Sequence, residues 1–442
     1  MRISLSDSFT YPKLIRFIMP SVMMMIFTSI YCVVDGFFVS NYVGKIPFAA
    51  LNLIYPFIAI MGGIGFMIGT GGNALVSKTL GEKKEELANQ YFSMLILFTI
   101  LTGIILSSIG IAVLKPVSIL LGATEEMLPH CITYGTYMLL FNTAFMLQYC
   151  FQSFLITAEK PKLGLYFTIL AGCTNMVLDL VLVGFLNYGL AGAAIASGMS
   201  QCIGGILPLI YFCKKNDSLL HFKMTKLVWK PIMQACYNGM SEFLSNISNN
   251  VVAMIFNFQL IHYLGDDGVA AFGVIMYLNF VFIAIFLGYS IGVAPVIGYN
   301  YGANNHKELK SLLRKSLTLI FTSGICMCLL AVGFTDFFVK IFVSYDPTLF
   351  NITVHGLQLY SYSFILCGIN IFASSFFTAL SNGKISAIIS SVRILVFQLA
   401  CVIILPLLIG VDGIWLAVGV AELLSLFVSL MYLKANQPIY HY

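Results

Sequence analysis

Charge is what this sequence has least of. Only 9% of its 442 residues are Asp, Glu, Lys or Arg, while 59% are hydrophobic. Soluble domains carry about 25% charged residues. A water-soluble protein of two or three domains, which the length alone would suggest, is therefore excluded. Cysteine is present without a pattern: eleven residues, an odd number, scattered mostly through apolar runs, with only Cys326 and Cys328 close together. That spacing gives neither a disulfide framework nor a metal site and leaves small apolar packing as the cysteines' role. The GTGGNA stretch at 69–74 lacks the Walker lysine spacing, which excludes an ATP-driven pump, and its small residues suit close helix packing instead. No activated nucleophile or acid–base pair is visible. The six histidines are dispersed, and the adjacent acids Asp266 and Asp267 fall on a tight turn. No enzyme, no catalytic residue and no cofactor are expected. No cleavable leader is expected either, because residues 1–13 are polar and the apolar run that follows has the length of a membrane helix.

What is present is a series of apolar runs, each near or above the roughly 20 residues that cross a bilayer as a helix. Twelve are expected, at about 14–41, 48–77, 90–114, 127–156, 163–183, 189–212, 231–261, 269–298, 316–340, 350–380, 386–409 and 411–433. The basic residues test the threading. With the N-terminus inside, 19 of the 23 Lys and Arg fall in inside segments and three (Lys45, Lys115, Lys340) in outside loops, while Arg393 lies within a run. Such a bias places both termini in the cytoplasm of a plasma-membrane protein. It also explains the net charge of +5 without a nucleic-acid partner. The longest connection, with five lysines, splits the chain into a six-helix half at 1–213, a linker at 214–230 and a second half at 231–442.

The halves read as repeats. At an offset of 221 residues Gly44 meets Gly265, Gly81 meets Gly302, and Gly189, Gly192 and Ala196 meet Gly410, Gly413 and Ala417. Six is even, so both halves insert the same way round and their symmetry axis runs along the membrane normal. The expected fold is all-α, with twelve transmembrane helices in two pseudo-symmetric six-helix bundles. A cavity between the bundles is the usual place for a substrate in alternating access.

The rare intramembrane acids are the functional candidates, since a carboxylate near a helix centre costs on the order of 2.5–3.5 kcal/mol. Asp35 lies in the first run, Asp179 in the fifth, Glu242 in the seventh and Glu422 in the twelfth. Asn175 and Asp179 are four apart and share a helix face. Counted at 1.5 Å per residue, Asp35 and Asp179 lie roughly 6–9 Å from the outer ends of their helices, and Asn175 and Ser197 about 12 Å. These four can therefore meet and hold a proton or a small hard cation. Na⁺ at Asp35, Asn175 and Asp179 is one possibility, and the plainer alternative is acids that cap helix ends or face outside water. If close, the two aspartates titrate as a unit. Pro20 lies fifteen residues before Asp35 in the same helix and permits a kink there, either static or moving as a hinge. Glu242 falls near the midplane and faces a neighbouring helix or a cationic substrate. Glu422 and Arg393, at comparable depth on adjacent runs, read as an ion pair. Met23, Met24 and Met25 suit an adaptable pocket.

In this order and on this framework, several features together resemble one family. They are Pro20, Asp35, the N-x-x-x-D of Asn175 and Asp179, GLAGAAIA at 189–196, Glu242 and GVAPVIGYNYGA at 292–303. Over about residues 10–435 the chain resembles the multidrug and toxic compound extrusion (MATE) transporters, most closely the bacterial type. The resemblance implies a V-shaped, two-lobed fold that exports cationic or amphipathic small molecules by antiport with H⁺ or Na⁺. It implies a monomer whose only other partner is membrane lipid. It makes Asp35, Asn175, Asp179 and Ser197 the N-lobe ion site. In some members a helix 7 Glu pairs with a helix 10 Asp in the C-lobe. Glu242 matches the Glu, but the tenth run here has no acid, and Gln358 and Asn370 are its amide candidates. A lipid-linked precursor flippase of the same superfamily is the alternative, although a cavity for phosphates should carry several inward Arg or Lys, and only Arg393 lies deep in a run.

Overall fold

The computed structural model describes residues 3–343 and 346–442; Arg2, one of the basic residues expected to lie inside, falls outside them. Everything regular among the described residues is helical. A chain this apolar can leave water only if every backbone N–H and C=O is bonded within its own segment, and a helix does that. The helices are α1 (Tyr11–Tyr42), α2 (Lys45–Gly81), α3 (Glu85–Leu120), α4 (Leu128–Leu140), α5 (Asn142–Thr157), α6 (Pro161–Leu178) and α7 (Gly189–Cys213) in the first half. The second half holds α8 (Trp229–Gly302), α9 (His306–Gly333), α10 (Thr335–Phe342), α11 (Pro347–Ser361), α12 (Phe364–Ala379), α13 (Gly383–Ser391), α14 (Leu399–Ile409) and α15 (Val411–Tyr440). By length and composition nine helices among the described residues can span a membrane, and eleven if α4–α5 and α11–α12, bent by 51° and 50°, each count as one span. At 74 residues α8 is far longer than one crossing requires. It breaks at Gly265 (φ 64, ψ −150) into two helical limbs.

The repeat seen in the sequence returns in the backbone. Gly44 and Gly265 both take positive φ, as do Gly189 and Gly410, and Lys83 and Asn304. All three pairs keep the offset of 221. The α4–α5 bend at Phe141 is matched by the α11–α12 bend at Tyr362. Two π-helical segments, Asp179–Phe185 after α6 and Val392–Gln398 after α13, widen the corresponding helix in each half.

The two halves meet chiefly along α2 and α8, with α1 against the second limb of α8. Glycine sets the distance. A Cβ on Gly71 would run into the Ala235 carbonyl, one on Gly239 into the Met67 carbonyl, and one on Gly302 into the Lys78 carbonyl. Gly288 lies against Val22, and Gly292 against Ile18 and Ser21, just past Pro20. α1 stays one continuous helix through Pro20. By contrast a Cβ on Gly36, Gly44, Gly265 or Gly273 would meet nothing within 4 Å. The halves are therefore closed at the Gly81–Gly302 end and part towards the Gly44–Gly265 end.

Two extended segments complete the closed end. The connection after α7 lies along α3: the His221 N–H donates to Asn89 Oδ1 at 2.6 Å, the Lys223 N–H donates to Ser93 Oγ at 2.9 Å, and Phe222 stacks on Phe92. The segment before α1 bridges the halves. Glu159 accepts from the Ser4 hydroxyl and the Leu5 N–H, at 2.7 and 2.8 Å. Glu308 of α9 accepts from the Phe9 N–H at 2.9 Å, and Lys315 donates to the Phe9 carbonyl. Leu5 and Phe9 are fully buried beneath it.

Candidate functional site

The first half brings all four of its predicted residues together. Asn175 sits in the last turn of α6, and Asp179 one turn on, where the π-helical segment begins. Both are buried, Asp179 completely. The Asn175 Nδ2 donates to Ser197 Oγ on α7 at 3.4 Å, and Ser197 Oγ donates to Asp35 Oδ1 on α1, also at 3.4 Å. These contacts are long for a hydroxyl, whose bonds are usually 2.5–3.0 Å. Asp179 lies within hydrogen-bonding reach of the Asp35 carboxylate, as does Asn175, and neither Asp179 oxygen accepts from an N–H or hydroxyl donor.

Asn175 Oδ1 at the site, and Asn142 Oδ1, Gln148 Oε1 and Gln201 Oε1 elsewhere in the first half, are buried oxygens with no hydrogen-bond partner. In low dielectric an orphan acceptor costs about 1–3 kcal/mol. Tyr134 on α4, 3% exposed, lies within electrostatic reach of both aspartates. Nothing in the sequence singles it out, because tyrosine is common in this chain and nothing in its spacing points to α1 or α6. Tyr55 and Cys32 are exposed, and both sense the Asp35 charge. Asp35 itself is half-buried, so this is its open side.

The second half is arranged differently. Arg393, in the π-helical segment after α13, clasps Glu422 of α15: Nη2 and Nε both lie 2.8 Å from Oε1, and Nε lies 3.1 Å from Oε2. Asn370 of α12 donates to Glu422 Oε2 at 2.7 Å and is held in turn by Ser429, while Gln398 donates to Oε1 at 3.4 Å. The expected Arg393–Glu422 pair is thus present. Asn370, expected to partner Glu242, turns to Glu422 instead, because its face of α12 packs on α15. Gln358 is exposed on α11 and is not in the lining of the cavity at Glu242.

Glu242 sits at the seam between the halves. With Thr70, Asn73 and Ser153 from the first half and Ser290, Ser375 and Thr378 from the second, it lines a cavity of about 20 Å³, room for a single water. The Ser153 and Ser290 hydroxyls there have no partner in the protein. Among the described residues no three His, Cys, Asp or Glu converge on a metal-type site.

Comparison with known proteins fits this arrangement. Multidrug export protein MepA of Staphylococcus haemolyticus is 24% identical over 96% of this chain and 93% of its own length. MepA of Staphylococcus saprophyticus is 23% identical over 98% of this chain and 94% of its own. A solved structure described as the outward-facing conformation of a multidrug resistance MATE family transporter of the MOP superfamily superposes with a TM-score of 0.93 at 18% identity. That superposition covers 98% of this chain and 97% of the other, and it bears on the fold. The MatE family model matches residues 20–181 and 243–404, two stretches of equal length, one in each half. Matched in both halves by one family model, the chain belongs to the MatE family of membrane transporters.

Proposed function

We propose that this protein exports cationic or amphipathic small molecules across the cell membrane by antiport with H⁺ or Na⁺, and that Asp35, Asp179, Asn175 and Ser197 bind the coupling ion. One observation carries this: two neighbouring carboxylates inside the first lobe act on each other, with only the neutral Ser197 and Asn175 side chains bonded to Asp35 and no Lys or Arg among the groups that act on either acid. Two adjacent carboxylates in low dielectric cannot both stay ionised without a counter-charge. A proton or Na⁺ supplies it, and oxygen ligands suit a hard cation. The names of the two MepA relatives support drug export as the work to which that ion is coupled.

Residues 1–213 and 231–442 then act as two lobes joined by 214–230, with both termini in the cytoplasm. The glycine-packed end is the cytoplasmic gate, closed here, so that the open side of Asp35 faces outward. Pro20 lies where α1 meets α8 across that gate, which suits a hinge that passes the protonation state of Asp35 to the lobe interface. Glu242, on the seam, provides negative charge for an organic cation.

Dye efflux from inverted vesicles, driven by an imposed pH or Na⁺ gradient, tests this reading. Transport that follows one gradient and is lost in Asp35→Asn is expected. Gradient-independent dye movement, or a fully active Asp35→Asn variant, rejects it.

A further inference from the structure

The two lobes carry comparable intramembrane carboxylates in opposite states. In each, a π-helical segment sits in the corresponding helix and presents a site residue: Asp179 at the start of one, Arg393 and Gln398 in the other. In the N-terminal lobe no Lys or Arg acts on either acid, and both Asp179 oxygens lack an N–H or hydroxyl donor. In the C-terminal lobe the Glu422 carboxylate is saturated. Oε1 receives Arg393 Nε and Nη2 and Gln398 Nε2, and Oε2 receives Arg393 Nε and Asn370 Nδ2. Asn370 is itself fixed by a second bond to the Glu422 backbone carbonyl and by the Ser429 hydroxyl on its own oxygen. Glu422 is 1% exposed and Arg393 13%. A buried carboxylate needs one positive charge and enough donors to replace its hydration. Here both come from the chain, and no acceptor direction is left for a free ion.

We infer that Arg393 is a built-in cation. A guanidinium tethered to the C-terminal lobe occupies the place beside Glu422 that a mobile H⁺ or Na⁺ would otherwise take, and the Glu422 centre therefore draws no ion from solution. Its consequence for transport, that coupling does not run through this centre, rests on the ion-coupled reading above; its chemistry does not. Arg393 acts by positioning and neutralising Glu422. Its planar fork matches the carboxylate, and its charge cannot titrate away in the physiological range. The other ionisable groups that sense this pair are Glu242 of α8, Tyr360 of α11 and Cys367 of α12.

The inference is tested by counting bound cations on the full-length protein in lipid nanodiscs. Proton uptake is followed in weak buffer, and ²²Na⁺ is measured by a proximity assay. Wild type is compared with Arg393→Gln, Arg393→Lys and the neutral pair Arg393→Gln/Glu422→Gln. Glu242, Tyr360 and Cys367 are unchanged in all four and cancel in the comparison. Arg393→Gln, which leaves Glu422 without its charge, should gain one Glu422-dependent cation over wild type. The neutral pair should return to the wild-type count, and Arg393→Lys should keep it. A folded Arg393→Gln that gains nothing overturns the inference. So does a neutral pair that binds one cation fewer than wild type, because Glu422 would then have held a mobile ion all along. Should Arg393→Gln fail to fold, the comparison of wild type with the neutral pair still decides. An Asp35→Asn arm reads the N-lobe site separately, so that failure of the antiport reading shows there and leaves the Arg393 result standing.

Discussion

Ser197 stands between Asn175 and Asp35 with a 3.4 Å contact on each side, so its hydroxyl orients the site more than it binds it. Removing one long, weak hydrogen bond costs about 0.5–1.5 kcal/mol. Ser197→Ala should therefore raise the half-saturating concentration of the coupling ion by roughly two- to ten-fold while leaving maximal efflux near wild type. Asp179→Asn, which removes one of two charges, should abolish ion-driven efflux. Concentration series of the driving ion in the vesicle assay separate the two behaviours, and an unchanged ion dependence in Ser197→Ala would remove it from the site. The four residues of this site were legible in the sequence for a physical reason. A carboxylate in an apolar run is costly enough to stand out, and counting rise per residue put all four near one depth. Tyr134 was not legible, because an aromatic residue costs nothing in such a run. Asn370 was read towards the wrong acid, because its partner is set by the rotation of α12 against α15, which no hydropathy pattern records.

Among the elements, α2 and α8 determine whether the glycine-packed end can shut. Gly71 and Gly239 let the two backbones touch, and a Cβ on Gly71 would strike the Ala235 carbonyl, part of a helix backbone that cannot rotate away. Gly71→Ala should therefore hold the lobes apart at this end while each lobe folds normally. The expected phenotype is wild-type expression and thermal stability, loss of efflux, and more labelling of Cys236, which adjoins the contact, from the side of the membrane that this end faces. The labelling would be read in a background lacking the other cysteines. Labelling and efflux that both match wild type would show that the gate does not depend on this approach. The glycines themselves were visible in GTGGNA and read as packing residues, but which helix they would meet was not. The broken helices were hidden for a related reason. Bends of 51° and 50° within runs 127–156 and 350–380 interrupt segments that hydropathy sees as continuous, since a turn bonded within the protein interior leaves the run equally apolar.

For the molecule as a whole, the N-terminal segment joins the lobes at the same end as the glycine gate. It is bonded to Glu159 on one side and to Glu308 and Lys315 on the other. Its geometry is held locally by Asp7, which accepts from the Ser4 N–H at 3.0 Å and pairs with Lys13 at 2.9 Å. The Lys13 side chain, and after it the Ser4 N–H, hold the Asp7 carboxyl below its ordinary value of 3.8. A carboxyl whose value is lower in the folded state contributes its stability above the unfolded value and loses it as pH falls through the folded one. The segment should thus stay pinned near neutral pH and release only in acid below pH 3.8. If H⁺ is the coupling ion of the antiport proposed above, it then acts at the buried carboxylates and not through this strap. Two measurements check the division of labour. Asp7→Asn should leave the pH dependence of efflux where wild type has it. Deleting residues 3–9 should shift the balance towards the open gate, with more Cys236 labelling and slower efflux at every pH. A pH profile that moves in Asp7→Asn would instead make the strap a proton sensor. A deletion without effect on labelling would mean that the glycine contacts alone keep the lobes together.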